Sequence, residues 1–308
     1  MKRALIATLF NEADNVSRWW DCLMEQTVLP DEIVVVDGGS TDGTWEKLRA
    51  LAEASRVPVK LAQQRCNIAE GRNHAIGLTA AEIIAATDAG SFPERNWFAE
   101  ITQPLIKNPN LDFVGGLNIA ETGNPFQIFL SQFEPLQERC IIDEELNPSS
   151  RNTAFRRAAW QAVGGYPEWL TLAGEDALFT QQLNKIGKKG FYNAAAIVHW
   201  SVRDTMAAYF KLLHRNAYGA AEAQLYWPYF RQRLIITFFP PLLLLSRHRF
   251  RYLKFRYLKN YSSASGWLAG WLKGRKPPSG WIRVEGILLS PQAWRAWQAK
   301  CMTKSTVA

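Results

Sequence analysis

The sequence predicts an α/β protein with an open, mostly parallel central sheet flanked by helices, followed by a helical, basic and aromatic C-terminal extension. Three observations carry this. Short apolar, β-branched runs alternate with longer amphipathic segments over the first two hundred residues, as expected of strands covered on both faces and joined by crossover helices. Acidic or polar residues stand where several of those runs stop. The charge is also divided: fifteen of the 36 Lys/Arg but only one of the 28 Asp/Glu fall in residues 223–308, so that segment carries +14 and the first 222 residues −6.

The elements follow in order. ALIATL (4–9), IVVVD (33–37), VKLAQ (59–63) and IIAATD (83–88) read as strands, with helices expected over 16–26, 44–54 and 71–78 between them. LDFVGGLNI (111–119) and GFYNAAAIVHW (190–200) read as later strands, with helices over 156–163 and 176–186, the last closed by Gly187. The organisation changes near Tyr209. LIITFFPPLLLL (234–245) is broken by Pro240 and Pro241 and falls short of the ~20 residues a membrane-spanning helix needs. In RHRFRYLKFRYLK (247–259), Phe250, Tyr252, Leu253, Phe255, Tyr257 and Leu258 interleave with six Lys/Arg. Units of 1–208 and 209–308 are expected.

A chain with 47% hydrophobic and 21% charged residues can bury a sizeable core and is neither disordered nor fibrous. Cys22, Cys66, Cys140 and Cys301 form no metal or redox spacing, which predicts reduced thiols in a cytosolic setting. The opening MKRALIATLFNEADN has an apolar run too short and too soon followed by acids for a signal peptide; it reads as the first strand.

In an open parallel sheet the ligand crevice lies beyond the carboxyl ends of the strands, where helix N-termini present free N–H groups. Thr8, Asn11 and Glu12 follow the first strand, Asp37 ends the second and Asp88 the fourth, so they converge on one edge. Asp37 has a competing reading as a helix cap, although Ser40, Thr41 and Asp42 are better placed to cap the helix at Thr44.

TLFNEADNV, VVVDGGSTDGT, EGRNHAI, ATDAGS and GEDALF, in this order and spacing, resemble the family 2 glycosyltransferases, over roughly residues 3–205. The resemblance implies a Rossmann-like nucleotide-diphospho-sugar transferase fold and inverting transfer from such a donor, most often a UDP-sugar. By the same resemblance Thr8, Asn11 and Glu12 lie beside the nucleotide, Asp37 accepts a hydrogen bond from the base, and Arg72 lies over the base or its phosphates. Asp88 stands at the first acid of a DxD signature whose acids touch the nucleotide's ribose and hold Mn²⁺ or Mg²⁺ against the diphosphate, but the third position is Gly90. His199 is similar in placement to a histidine that completes the metal site; packing against its neighbours is the competing reading.

Asp176 in GEDALF is implied as the general base and Glu175 as its orienting partner. One base suffices to take the acceptor's proton in an inverting transfer. First-turn acids at a helix N-terminus are the simpler alternative. Arg151 and Asn152 in SSRNTAFRR resemble residues lining the donor sugar and diphosphate, and no QxxRW follows His199, which speaks against a processive polysaccharide synthase.

For the tail, an anionic membrane surface accounts for basic charge, tryptophans and the broken apolar run together. A helical subdomain with snorkelling arginines is the alternative; nucleic acid leaves the apolar run unexplained. The expected protein is a cytoplasmic, peripherally membrane-associated transferase acting on a lipid-linked or polysaccharide-precursor hydroxyl. A silent nucleotide-binding module and a nucleotidyltransferase are the rivals. No GxGxxG follows the first strand, against a dinucleotide-dependent dehydrogenase.

Overall fold

The computed structural model describes residues 1–135, 137–142, 144–245 and 252–305. The chain begins with β1 (Arg3–Leu9), α1 (Val16–Met24), β2 (Glu32–Asp37), α2 (Thr44–Glu53), β3 (Val59–Gln63), α3 (Ile68–Gly77) and β4 (Ile83–Ala86). It continues through β5 (Ser91–Pro93), α4 (Trp97–Lys107), β6 (Phe113–Glu121), α5 (Pro125–Leu130), β7 (Gln137–Glu138), β8 (Ile141–Ile142) and β9 (Glu145–Leu146). Then come β10 (Thr153–Arg156), α6 (Arg157–Val163), α7 (Glu175–Lys185) and β11 (Gly190–Ser201). Among the described residues one sheet runs β3-β2-β1-β4-β10-β6-β11-β5, with β7 on β6.

β3, β2, β1 and β4 are parallel, as are β6 and β11, whereas β10 enters antiparallel between β4 and β6. Both faces are buried, and the two-residue alternation shows it. Leu5, Ala7, Ile33 and Val35 pack with Trp19, Trp97 and Phe98 on one side. Ala4, Ile6, Val34 and Val36 pack with Ile76, Phe155, Tyr166 and Phe179 on the other.

Three differences from the sequence reading bear on the site. The fourth strand stops at Ala86, which releases Asp88 into a loop. Helix α3 starts at Ile68 rather than Gly71, because Asn67 and Glu70 form a reciprocal capping box before it. The strand β10 and the helix α4 were not read: the first is four residues long and the second carries Pro104.

The C-terminal region is helical as expected, with α8 (Met206–Glu222), α9 (Trp227–Phe238), a 3₁₀ turn over Pro240–Leu245 and α10 (Leu253–Lys273). Of the basic aromatic run, residues 247–251, Phe250 included, lie outside the described residues. Helices α8 and α10 touch backbone to backbone: a Cβ on Gly266 would sit 2.2 Å from the His214 carbonyl oxygen. A hairpin, β12 (Ile282–Val284) and β13 (Ile287–Leu289), leads into α11 (Pro291–Ser305). Leu289 and Ala293 are buried in the same cluster as Phe155 and Phe179, so the end of the chain returns to the sheet. Among the described residues no helix is long and apolar enough to cross a membrane.

Candidate active site

The ends of β1, β2 and β4 form one rim, since Leu9 is in register with Asp37 and Ile6 with Ala86. Helix α3 lies directly against it. A Cβ on Gly71 would come 2.4 Å from Thr8 Cγ2, so glycine alone lets α3 approach. The Thr8 hydroxyl is buried there without a hydrogen-bond partner. The loop after β1 is stitched to the loop after β2: Asn11 N–H donates to Ser40 Oγ (2.8 Å), Thr41 N–H to Asn11 Oδ1 (3.0 Å), and Glu12 N–H to Thr44 Oγ1 (2.8 Å). Asp42 accepts from the Thr44 N–H (3.0 Å) at the start of α2, but the N-cap position itself is Gly43 and has no side-chain cap, so none of Ser40, Thr41 and Asp42 is the capping residue.

The centre of the arrangement is Arg72. Its Nη1 donates to Glu175 Oε1 (2.5 Å) and its Nη2 to Asp88 Oδ1 (3.0 Å), while its guanidinium lies 5.5 Å from the Tyr166 ring centroid. Both Arg72 and Glu175 are buried. Burial works against the Arg72 charge, but Asp88 and Glu175 outweigh it and hold the guanidinium protonated more firmly than usual. Burial first, and then the neighbouring Asp176, push the Glu175 carboxyl up to about 7, against the pull of Arg72.

Glu175 and Asp176 open α7, preceded by Gly174 at φ +91°. Glu175 turns inward while Asp176 stays half-exposed, accepting from the Ala177 N–H (2.8 Å) and, more weakly, from the Ser150 N–H (3.4 Å). Ser150 Oγ meets the buried Tyr166 hydroxyl at 3.0 Å. One carboxylate of the pair is thus locked into the protein and the other is only partly buried.

Arg151 sits 4.6 Å from the Trp200 ring centroid. Asn152, expected beside the donor sugar, is spent elsewhere. Its Oδ1 accepts from Trp97 Nε1 (2.8 Å) and its Nδ2 donates to the carbonyls of Leu117 and Ala196 (both 3.0 Å), making it a buried clamp between β6 and β11. Asp37 is fully buried. Its carboxylate accepts from the Ser40 N–H (3.0 Å), the Ser40 hydroxyl and Gln63 Nε2 (2.9 Å), and so shapes the DGGS turn. His199 pairs with Glu94 (2.9 Å) and is not joined to Asp88 by any described contact.

Two arginines were not singled out in the sequence. Arg203 follows β11 and interacts electrostatically with Glu12; Arg215, on α8, interacts with Arg203, Glu175 and Asp88. One turn after Arg215, a Cβ on Gly219 would lie 2.0 Å from the Ala173 carbonyl, so α8 is pressed against the entry to α7. Glu222, also on α8 and buried, accepts from the Thr171 N–H (3.0 Å), the Thr171 hydroxyl (2.6 Å) and the Arg275 N–H (2.8 Å). The lining of a cavity of about 610 Å³, which includes Cys66, Asn73 and Trp160, contains neither Glu175 nor Asp176.

A divalent ion fits this rim only in company with its ligand. Among the described residues no group of three His, Cys, Asp or Glu side chains is placed to hold one unaided. Asp88 and Glu12 do converge: burial first and then Asp88 raise the Glu12 pKa, against the hydrogen bond from Asn15 (2.8 Å). Gly90 leaves the space between open, with its would-be Cβ 4.0 Å from Glu12 Oε2. One or two carboxylates with phosphates and water make a sufficient set for Mg²⁺.

Comparison with known proteins agrees with this architecture. Residues 5–164 match the family profile "Glycosyl transferase family 2", and residues 137–273 match "Glycosyl transferase family group 2". Glycosyltransferase AglE of Haloferax volcanii is 24% identical over 227 residues, covering 72% of this chain and 67% of that protein. The O-antigen chain rhamnosyltransferase WbaN of Salmonella anatum is 26% identical over 200 residues, covering 60% and 61%. Among solved structures, the mannosyltransferase PcManGT of Pyrobaculum calidifontis with GDP-Man and Mn²⁺ superposes with a TM-score of 0.58 at 19% identity, over 98% of this chain and 80% of that one. S. aureus TarS with UDP gives 0.52 at 16% identity, over 94% and 96%. The match over more than half its length shows that this chain belongs to glycosyl transferase family 2.

Proposed function

We propose that the protein is an inverting glycosyltransferase that moves a sugar from a nucleotide-diphospho-sugar, a UDP-sugar in the first instance, to a hydroxyl of a lipid-linked or polysaccharide-precursor acceptor. The observation that carries this is the Arg72 bridge, which sets the donor-side acid Asp88 and the α7 acids on one rim. In the reaction the acceptor oxygen attacks the anomeric carbon as the bond to the diphosphate breaks, and the acceptor's proton passes to the Asp176 carboxylate. Glu175, held by Arg72, keeps the start of α7 in place. That leaves Asp176 the half-exposed member of the pair, free to take a proton.

On the donor side, Thr8, Asn11 and Glu12 line the nucleotide. Asp37 would read the base through Oδ1 once the Ser40 hydroxyl rotates away, since Oδ2 is also held by the Gly39 and Ser40 backbone N–H groups. Arg151, Arg203 and Arg215 supply positive charge for the diphosphate and sugar. A divalent cation, held by Asp88 and Glu12 with the donor's phosphates, would neutralise charge on the leaving group. The PcManGT neighbour contains GDP-Man and Mn²⁺, and TarS contains UDP, which supports that donor class.

Residues 1–208 would carry the chemistry and 209–308 a peripheral contact with the cytoplasmic membrane face. Exposed Phe238 and Phe239 at the end of α9, and exposed Trp271 and Leu272 at the end of α10, support the second part, because large apolar groups left in water on a basic segment are those a membrane surface would cover. The Asp176→Asn variant tests the mechanism. It should bind UDP as the native chain does, by calorimetry, and release no UDP from UDP-sugar in the presence of acceptor; undiminished turnover removes Asp176 from its role.

A further inference from the structure

The segment between α6 and α7 holds a buried tyrosine that the reaction above does not use. Tyr166 is 2% exposed. Its backbone is taken up by one side chain: Asn73 Oδ1 accepts from the Tyr166 N–H (2.9 Å) and Asn73 Nδ2 donates to the Tyr166 carbonyl (2.9 Å). The same amide also accepts from Trp160 Nε1 (2.9 Å) and donates to Glu168 Oε1 (2.8 Å). Glycine is required beside it, since a Cβ on Gly165 would lie 2.9 Å from Asn73 Oδ1 and φ there is +87°. The ring is fixed as firmly as the backbone. It stacks on Phe179 of α7, with centroids 4.4 Å apart and planes at 26°, and the Arg72 guanidinium lies 5.5 Å from its centroid.

Helix α3, through Asn73, and helix α7, through Phe179, therefore locate the phenol oxygen between them. Burial pushes the phenol above its usual pKa, against the pull of Arg72, so the hydroxyl keeps its proton. It meets the Ser150 hydroxyl at 3.0 Å, and Ser150 is itself 2% exposed. Ser150 in turn presents its backbone N–H to Asp176 Oδ2 at 3.4 Å, while Asp176 Oδ1 accepts from the Ala177 N–H at 2.8 Å. The two oxygens of Asp176 are thus unlike. Oδ1 is bound to its own helix, whereas the long contact aims Oδ2 and leaves it room to accept; such bonds commonly tighten when substrate arrives. Packing alone does not call for the phenol hydroxyl, because a phenylalanine ring fills the same stack and has no buried polar group to satisfy.

We propose that Tyr166 is a positioning residue for the transfer: through Ser150 it fixes the N–H that aims Asp176 Oδ2, the oxygen that takes the acceptor's proton. The inference rests on the reading of Asp176 as the general base, and adds which of its oxygens works and what holds it. Small displacements matter here, since a shift of about 1 Å can cost ~100-fold in rate.

The test follows UDP release from UDP-glucose, UDP-galactose and UDP-N-acetylglucosamine, with a total cell-lipid extract as acceptor. The native chain, Asp176→Asn, Tyr166→Phe and Ser150→Ala are compared, with the calorimetric UDP affinity and melting temperature of each. Phenylalanine keeps the stack on Phe179 and alanine keeps the backbone N–H, so each variant removes only the hydroxyl contact. Both should lower kcat by at least about ten-fold, with donor KM and UDP affinity within about three-fold of native. Tyr166→Phe/Ser150→Ala should fall no further than the worse single variant, because the two changes break one contact. A folded Tyr166→Phe with kcat within about two-fold of native, beside an inactive Asp176→Asn, overturns the positioning role and leaves the general base in place. Equal losses in kcat and UDP affinity make the hydroxyl pair a structural feature only, and also overturn it. Undiminished turnover in Asp176→Asn removes the general-base reading and this inference together, and a native chain inert with all three donors does the same for the UDP-sugar reading. Should Tyr166→Phe lose its fold, Ser150→Ala decides by the same criteria.

Discussion

Arg72 and Glu175, more than a hundred residues apart in the chain, form a buried ion pair with Nη1 2.5 Å from Oε1. The same guanidinium reaches Asp88, so one cation ties the helix that bears Asp176 to the loop after β4. Breaking a buried pair by removing one partner typically costs about 3–5 kcal/mol, because the other charge is left uncompensated. Arg72→Met should lose stability of that order in urea denaturation. Arg72→Met/Glu175→Gln should lose less than the sum of the single variants, and strict additivity would show that the pair is not coupled.

The raised Glu175 pKa makes stability depend on pH. Its folded value, about 7, lies above the ordinary 4.5, so the folded chain holds a proton that the unfolded chain has released between those values. Where the folded state binds more protons, stability falls as pH rises. The contribution is present at low pH and declines between about pH 4.5 and about pH 7. Relative to Glu175→Gln, the native chain's melting temperature should drop across that window; parallel curves would contradict it.

Gly71→Ala sets two effects against each other. Alanine improves helix propensity by about 1 kcal/mol, but its Cβ would stand 2.4 Å from Thr8 Cγ2, a stiff β-branched side chain in β1 with little room to yield. Overpacking of this kind costs about 1–3 kcal/mol. The clash should win. A net loss of stability, with weaker UDP binding in a calorimetric titration as α3 lifts from the rim, is expected.

Mn²⁺ should tighten UDP binding to the native chain, and Asp88→Asn should abolish most of that increment while leaving metal-free UDP binding within a few-fold. Calorimetry with Mn²⁺ and with EDTA reads both quantities. An increment that survives in Asp88→Asn would move the ion away from this carboxylate.

Glu222→Ala leaves three donors from Thr171 and Arg275 without their acceptor. Thr171 is only partly buried and Arg275 exposed, so water can replace part of what is lost, and the loss of stability should be about 1–2 kcal/mol. Thr171 lies shortly before Gly174, so kcat should fall further than the donor KM rises. A change confined to KM would argue that α8 does not steady the acid pair.

The strands β1, β2 and β3 were legible within a residue because short apolar runs between turn signals have few alternatives, and the start of α7 at Glu175 lies one residue from the helix expected from 176. Asn152 was misread because an amide in a polar loop looks the same whether it faces a ligand or the Trp97 indole. Arg203 and Arg215 carried no pattern at all. The position of Arg215 comes from α8 lying against Ala173, which depends on the small Gly219 meeting a carbonyl far away in sequence.

Hydrophobic periodicity and strand-end acids are local properties, written into neighbouring residues, so the α/β sheet and the edge that carries the chemistry could be read from the chain alone. Which acids turn inward, which arginine joins them and how the C-terminal helices press on α7 are matters of packing between distant segments. Desolvation and pairing arise only when those segments meet, and that is why Glu175 and Asp176, adjacent in sequence, end with one buried on Arg72 and the other only partly buried.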